Sequence, residues 1–550
     1  MADTSDPQTI PELVRAAARD FGAVEAVVDE DLRLDFRELA GRVSEAARAA
    51  ISAGLVSGDR VAIWAPNCWE WIVAALGVVS AGGVLVPINT RFKGREAGYV
   101  IQRSGARMLF TVRGFLGFDY PEMLREAHGP VANGRPVEEL ESLERIVLLR
   151  GEPIRGTEPF AAFIHDAEHA TAEEEALRVS EVRPDDLSDI IFTSGTTGKP
   201  KGVMTTHAQS MRVFQVWSRA VGLREGDRYL IVNPFFHTFG YKAGILACLM
   251  RGATIIPHAV FDAPSVLARI AEERVTALPG PPTLYQSILN HPERTSFDLS
   301  SLRLAVTGAA VVPVALIEAM RDELGFEKVL TAYGLTESTG TATMCRPTDD
   351  AETIANTSGC AIPDTEVRIV DDAGKEVVRG EPGEVVIRGY NVMKGYFEDP
   401  EQTAETIDAD GWLHTGDVGV MDERGYIRIT DRKKDMFIVG GFNAYPAEIE
   451  GELMRHPAVA QAAVVGAPDP RLGEVGVAFV VPRSGETVDP DEVITWAREQ
   501  MANYKVPRLV EVVDALPVNA SGKVLKFELR EQAAKLLAAG RSVSQNVRPA

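Results

Sequence analysis

The sequence predicts an α/β protein: parallel sheets covered by helices, then a smaller β unit and a compact α+β module. Three observations carry that reading. The segments GLVSGDRVAIWAPN (54–67) and GLREGDRYLIVNPF (222–235) share Gly-Leu, two residues, Gly-Asp-Arg, then an apolar strand ending in Asn and Pro in either order. Each is followed by an apolar helix, a glycine and a second apolar strand, AGGVLVPIN (81–89) and RGATIIPH (251–258), so two related β-α-β units are expected. From about residue 363 the texture changes to short strands with turns: TEVRIVDDAGKEV, GEVVIRG and GYIRITD.

Along the chain, the amino terminus MADTSDPQ is acidic and polar and lacks the basic and apolar regions of a signal peptide. The longest apolar run, Ile72 to Val86, is interrupted by Ser80, Gly82 and Gly83. It is too short to span a bilayer and reads as a buried helix feeding a buried strand. The stretch Gly151 to Pro184, rich in Glu, Ala and His, reads as a surface excursion with no chemistry. LSDIIF, ending at Phe192, and VMTTH flank TSGTTGKPKG, so 193–202 reads as a loop between two strands. TDRKKDMF is a polar joint that places a boundary near 431, dividing the chain into 1–430, the joint 431–435, and 436–550. In the last part Pro446 can open a helix with Ile449 and Leu453 on one face; strands AQAAVVG and VGVAFVV follow, and DEVITWAREQM reads as a second helix.

A chain of 550 residues is too long for one core. Its net charge of −22 and pI near 5.0 exclude a broad surface for nucleic acid or anionic membrane, so a bound polyanion needs a local basic pocket. Cys68, Cys248, Cys345 and Cys360 share no CxxC or metal-ligand spacing, which points to reduced thiols in a cytoplasmic enzyme. The nine histidines form no HExxH.

TSGTTGKPKG packs four hydroxyls, three glycines and two lysines into ten positions. Backbone N–H groups bared by glycine, with the hydroxyls of Thr193, Ser194, Thr196 and Thr197, suit a phosphate, and Lys199 and Lys201 add charge. It is not a Walker A loop: two residues separate Gly195 from Gly198, and Pro200 follows the lysine. Four more segments belong with it: TAYGLTES (331–338), HTGD (414–417), DRKKD (431–435) and PVNASGKVLK (517–526). Singly, each has a bland reading, with Tyr333 as a core aromatic, Glu337 or Asp417 as turn acids and Lys523 as surface charge. Together and in this order they are specific.

The set TSGTTGKPKG, AYGLTE, TGD, DRxKD and NASGK resembles the adenylate-forming superfamily of acyl-CoA synthetases, nonribosomal-peptide adenylation domains and beetle luciferases, over roughly residues 10 to 535. The resemblance implies a large N-terminal domain of two β-α-β subdomains plus a β-barrel-like unit, and a small mobile C-terminal lid. It implies that Thr193, Ser194, Gly195, Thr196, Thr197, Gly198 and Lys199 hold the β- and γ-phosphates of ATP. Gly308, Ala309 and Ala310 in VTGAA line adenine and the acyl group. By the same resemblance Tyr333, beside Gly334, would stack on adenine, Thr336 would bind the α-phosphate and Glu337 would ligate Mg²⁺. The resemblance further implies that Asp417 accepts from the ribose hydroxyls with Arg432 close by, and that Lys523 reaches the α-phosphate and the acyl carboxylate. Lys434 occupies the hinge position, and Gly440 and Gly441 leave room for the pantetheine arm of CoA.

Substrate information lies in NPFFHTFGYKAG (233–244), where Phe236, His237 and Tyr241 are expected to line or gate an apolar acyl pocket. Short-acid synthetases carry Trp where this chain has Gly334, so the pocket is expected to be open beyond acetate or propionate. No Asp stands near His237 to bind an α-amine, and no carrier-protein motif follows 535, which disfavours a peptide-synthetase module. RVAIWAPNCWEWIVA, VPINTRF and GFLGFDY are similar to actinobacterial ligases that activate ring-propanoate fragments of steroids; a medium- or long-chain fatty acid is an equal expectation. The expected activity is an acid–thiol ligase forming acyl-AMP from ATP and then an acyl-CoA. A luciferase-like or carrier-acylating enzyme and a catalytically silent nucleotide-binding relative are the alternatives. The expected partners are a small carboxylic acid, ATP and CoA, without nucleic acid or an integral membrane segment; a homodimer is also carried as an expectation.

Overall fold

Strands Arg60–Trp64 and Val84–Pro87 pair in parallel, and so do Arg228–Ile231 and Thr254–Pro257, which places both expected β-α-β units in the fold. The computed structural model describes residues 6–193, 200–308, 312–432, 435–439, 442–469, 472–501, 503–518 and 524–538. In each unit the Asp of Gly-Asp-Arg caps its own turn: Val56 N donates to Asp59 Oδ2 at 3.0 Å and Arg224 N to Asp227 Oδ2 at 2.9 Å. Each Asp also pairs with an arginine at the foot of a later strand, Asp59 with Arg107 at 2.6 Å and Asp227 with Arg303. Each Arg of the motif caps the helix that follows the second strand of its unit, Arg60 on the Ser104 carbonyl and Arg228 on that of Glu273. The repeat therefore extends one helix beyond the part legible as matching sequence.

The first unit sits in a sheet that runs, in order, through Gly395–Tyr396, Lys201–Thr206, Leu187–Thr193, Val84–Pro87, Arg60–Trp64, Met108–Phe115, Arg145–Arg150 and Glu158–Pro159. The second joins Glu25–Asp29 and Leu32–Asp35, and Ala277 bridges it to the parallel pair Leu304–Thr307 and Lys328–Tyr333. Helix Trp69–Ser80 is buried at every residue from Glu70 to Ser80, as its all-round apolar sequence requires. Beyond 363, Thr365–Val370, Gly383–Gly389, Leu413–Met421 and Ile427–Arg432 form an antiparallel four-stranded sheet.

The last part builds its own cores on the two faces of one sheet, following the period of two along its strands. Val464, Ala478 and Val480 face Ile449 and Leu453 of helix Pro446–Leu453, the pair expected to share a face. Ala463, Val465, Val477 and Phe479 face Leu529 and Ala533 of helix Lys526–Ala538.

The stretch 151–184, expected as a surface excursion, is mostly exposed but is ordered around a buried anchor. It forms helices Phe160–His165 and Ala172–Glu181 joined by a 3₁₀ turn, and Phe163 is fully buried edge-on to Phe110, ring centroids 5.2 Å apart. Two phenylalanines three apart anchor it, and its average composition, dominated by exposed Glu, hid them. Among the described residues no helix is long and apolar enough to cross a membrane, and the four cysteines are free.

Candidate active site

Thr193 ends one strand and Lys201 begins the next, and the two are register partners in an antiparallel pair, so the base of the hydroxyl-rich loop is a closed hairpin. Ser194, Gly195, Thr196, Thr197, Gly198 and Lys199 lie outside the described residues. The Lys201 ammonium stands 5.1 Å over the Tyr396 ring and hydrogen-bonds Gln402.

The TAYGLTES segment begins at the end of strand Lys328–Tyr333. Tyr333 donates its hydroxyl to Asp417 Oδ2 at 2.6 Å, joining the expected adenine and ribose contacts across 84 residues. Asp417 is 3% exposed on strand Leu413–Met421, and its register partner is Arg432. After Tyr333 the chain makes a 3₁₀ turn, Thr336–Ser338, with Thr336 and Glu337 half-buried. A side chain at Gly334 would place its Cβ 2.5 Å from the Gly340 carbonyl oxygen and 2.6 Å from Thr341 Cα. The returning main chain thus requires glycine there, independently of the size of any acid. Thr339 closes the turn at φ 54°, a left-handed conformation that a β-branched residue rarely takes. Its Oγ1 donates to Asn391 O at 2.8 Å, and the buried Asn391 amide donates to Thr341 O at 3.1 Å.

The carboxylate of Glu337 accepts from Tyr396 Oη at 2.9 Å, and its carbonyl accepts from Met393 N at 2.8 Å. Burial, then the neighbouring Glu337 charge, push the Tyr396 phenol well up, so it stays a donor. Tyr396 pairs through its backbone with Val203, two residues beyond Lys201, so segment 391–397 stitches the Glu337 turn to the exit strand of the loop. Among the described residues no Lys or Arg pairs with Glu337, and Oε2 is available as a hard oxygen donor. Nor do the described residues contain a cluster of three or more His, Cys, Asp or Glu able to cage a metal. One carboxylate tied through Tyr396 to strand Lys201–Thr206 fits Mg²⁺, which takes few protein ligands and completes its shell with phosphate and water.

Gly308 follows strand Leu304–Thr307, with Ala332 O 2.9 Å from where a Cβ would lie. Ala309, Ala310, Lys434, Gly440, Gly441 and Lys523 lie outside the described residues, and for Arg432 the backbone alone is described. The described residues on either side of 519–523 are joined by the Val518–Val524 bridge and by Leu525 N donating to Pro517 O at 2.8 Å.

On the acyl side, Asn67 of the first β-α-β unit clamps the second. Its Nδ2 donates to Ile231 O at 3.0 Å and Asn233 O at 2.9 Å, and its Oδ1 accepts from Phe235 N at 2.7 Å. His237 follows, reachable by solvent yet hemmed in by protein, and that desolvation keeps its pKa below the usual histidine value. Phe239 N donates to its Nδ1 at 3.2 Å. Tyr241 packs fully buried against Trp71, ring centroids 5.7 Å apart, and is therefore a core side chain and not a pocket lining. Sequence reasoning missed Tyr396 and Asn67; the second aromatic of RGYNVMKGYF and the Asn common to both repeats were the available signals.

The description of AMP-binding enzymes matches residues 14–397, and that of the AMP-binding enzyme C-terminal domain matches 448–523. The chain is 51% identical over 530 residues, 96% of this chain and 99% of the relative, to the 3-[(3aS,4S,7aS)-7a-methyl-1,5-dioxo-octahydro-1H-inden-4-yl]propanoyl:CoA ligase of Rhodococcus jostii. It is 51% identical over 528 residues to the ligase of the same name from Mycobacterium tuberculosis, covering 96% of this chain and 99% of that one. The solved structure of the anthranilate CoA ligase AuaEII in complex with anthranoyl-AMP is similar with a TM-score of 0.86 and 28% identity, over 98% of this chain and 100% of that chain. On these matches and this geometry the chain belongs to the AMP-binding enzymes, the adenylate-forming superfamily that its motifs resemble.

Proposed function

We propose that this chain is an ATP-dependent acyl-CoA ligase whose acid is a bulky, ring-bearing propanoate. The observation that carries the reading is the 51% identity, over 96% of the chain, to a ligase named for a bicyclic octahydroindene-dione propanoate. In the first half-reaction the acid carboxylate attacks the α-phosphorus of ATP, giving acyl-AMP and pyrophosphate. In the second the CoA thiol attacks the acyl carbon, expelling AMP and losing its proton.

An anion attacking a polyanion needs charge neutralised and atoms aligned more than it needs acid–base help. Tyr333 and Asp417, tied by their hydrogen bond, would hold adenine and ribose as one unit. The Thr193–Lys199 loop would hold the leaving phosphates, and Thr336 the α-phosphate. Mg²⁺ held by Glu337 would polarise the phosphate oxygens. Tyr396 would fix the rotamer of that carboxylate, leaving Oε2 for the cation. Neutral His237 and Phe236 would wall the acid. Lys523, about 4 Å from phosphate at an effective dielectric near 20, would contribute roughly 4 kcal/mol in the transition state. Rotation of the part after 431–435 about Lys434 would then exchange Lys523 for Gly440 and Gly441, opening a channel for pantetheine.

The test is AMP release with and without CoA from the bicyclic octahydroindene-dione propanoate, octanoate, palmitate and ferulate. CoA-dependent release fastest with the bicyclic acid is expected. A fatty acid turned over faster overturns the acid class, and silence with every acid overturns the ligase. Lys523→Ala should slow acid-dependent AMP formation by about three orders of magnitude; near-normal adenylation removes Lys523 from the mechanism.

A further inference from the structure

An ion pair lies sealed between the strand that feeds the phosphate loop and the helix of the acyl segment. Asp189, in strand Leu187–Thr193, places Oδ1 2.9 Å from Lys242 Nζ, with side chains 0% and 1% exposed. Asp189 Oδ2 accepts from Ser188 Oγ at 2.6 Å. The charges meet without a well-aligned hydrogen bond, and Thr205 Oγ1, on the cross-strand partner of Asp189, and Tyr241 Oη are buried without a hydrogen-bond partner among the described residues. Burial pulls the Lys242 pKa down while Asp189 pushes it up. Such a pair is a poor source of stability, because desolvating both ions offsets their attraction, and an apolar couple of similar volume usually serves as well.

What the pair can do is penalise alternatives. Lys242 lies inside the π-helix Phe239–Leu246, whose wide turn is seen where Ala247 N reaches back to Lys242 O. π-Helical turns are rare and are frequent at functional sites. Gly240 and Gly244 let this one lie on the carbonyls of Asn233 and Pro234 and on Ile231. Relaxation to an α-helical register would turn Lys242 away from Asp189 and leave two bare charges in an apolar core. The corresponding helix of the first unit, WEWIVAALGVVS, is an ordinary α-helix without a lysine or arginine.

We infer that Asp189 and Lys242 form a register lock: a positioning pair that holds the π-turned helix behind Phe236 and His237 of the acyl wall in fixed phase with the strand leading to the phosphate loop, and so sets acid selectivity. Its acid readout rests on the ligase reading above, and its exchange readout does not. Lys242→Met alone strands Asp189 in the core and tests folding more than positioning, so the decisive variant is Asp189→Asn with Lys242→Met, neutral and close in volume. The double variant should fold with wild-type thermal stability and show at least tenfold faster hydrogen exchange across 239–246. Its KM for the bicyclic propanoate should rise about tenfold, its preference over octanoate should shrink, and its KM for ATP should stay within twofold. Wild-type exchange across 239–246, or an acid KM within twofold of wild type, overturns the lock. If wild-type protein turns over none of the acids, the ligase reading falls, and exchange decides alone: a tenfold loss of protection supports the lock and an unchanged pattern overturns it.

Discussion

The units at 54–88 and 222–258 share a frame and differ in the helix that crosses it. Both are stapled by the same bonds, Asp59 to Val56 N and Arg107 in one, Asp227 to Arg224 N and Arg303 in the other. The first crosses back through a regular helix buried on all sides; the second uses a π-turn carrying a sealed lysine, with His237 at its entrance. Where the copies agree, the residues hold the scaffold up, and where they diverge the second copy has taken on polar and irregular features that packing alone would reject.

The largest effect expected from this comparison concerns the shared staples. Asp227 and Arg303 are 3% and 9% exposed, whereas Asp59 and Arg107 are 14% and 28% exposed, and Arg107 retains Glu144 at 2.8 Å. Asp227→Ala should therefore cost about 3–5 kcal/mol in urea unfolding, and Asp59→Ala about 1 kcal/mol or less. Equal losses would mean that burial does not distinguish the staples. Next comes one glycine from each crossing helix. A Cβ at Gly240 would sit 2.1 Å from Pro234 O, and one at Gly77 would sit 2.5 Å from Ala46 Cβ. Each change to alanine should cost about 1–3 kcal/mol from overpacking, yet Gly240→Ala alone should raise the acid KM. A matching KM change in Gly77→Ala would erase the division between scaffold and site.

The smallest effect is a pH asymmetry. His237 and His258, both in the second unit, are desolvated and hold pKa values below the ordinary one, and 54–88 contains no histidine. A depressed histidine favours the folded form above its unfolded pKa of about 6.5, and that contribution is lost as pH falls from there toward the folded value. Hydrogen exchange corrected for intrinsic rate should thus show protection falling in 228–258 between pH 7.5 and 5.5 while 60–88 holds. Parallel loss in both segments would point to a global cause.

The frame was legible because it is local: Gly-Asp-Arg, its strand and its turn lie within a dozen residues, and the same holds for the hairpin around 193–202 and the Ile449–Leu453 face. The candidate site reads in the sequence as a set of motifs, but the bonds that wire its described residues together do not. The Tyr396–Glu337 bond spans 59 residues and depends on a two-residue strand, Gly395–Tyr396, joining the edge of a sheet begun far upstream. FGYKAGIL is apolar all round, so its periodicity could not separate a π-turn from an α-helix, and Lys242 read as a surface charge would be misplaced. Tyr241 read as a pocket residue because an aromatic beside His237 looks the same whether it faces the ligand or the core.

The amide of Asn67 has a consequence for anyone who wishes to retarget the enzyme. With both carbonyl contacts and the Phe235 N–H engaged by one side chain, the backbone path of the acyl segment is inherited from a residue in the other repeat. A chimera that imports 222–258 from a relative while leaving position 67 behind splits one functional part between two parents. Crossover points that keep 67 and 231–235 from the same parent should outlive those that do not, whatever the acid.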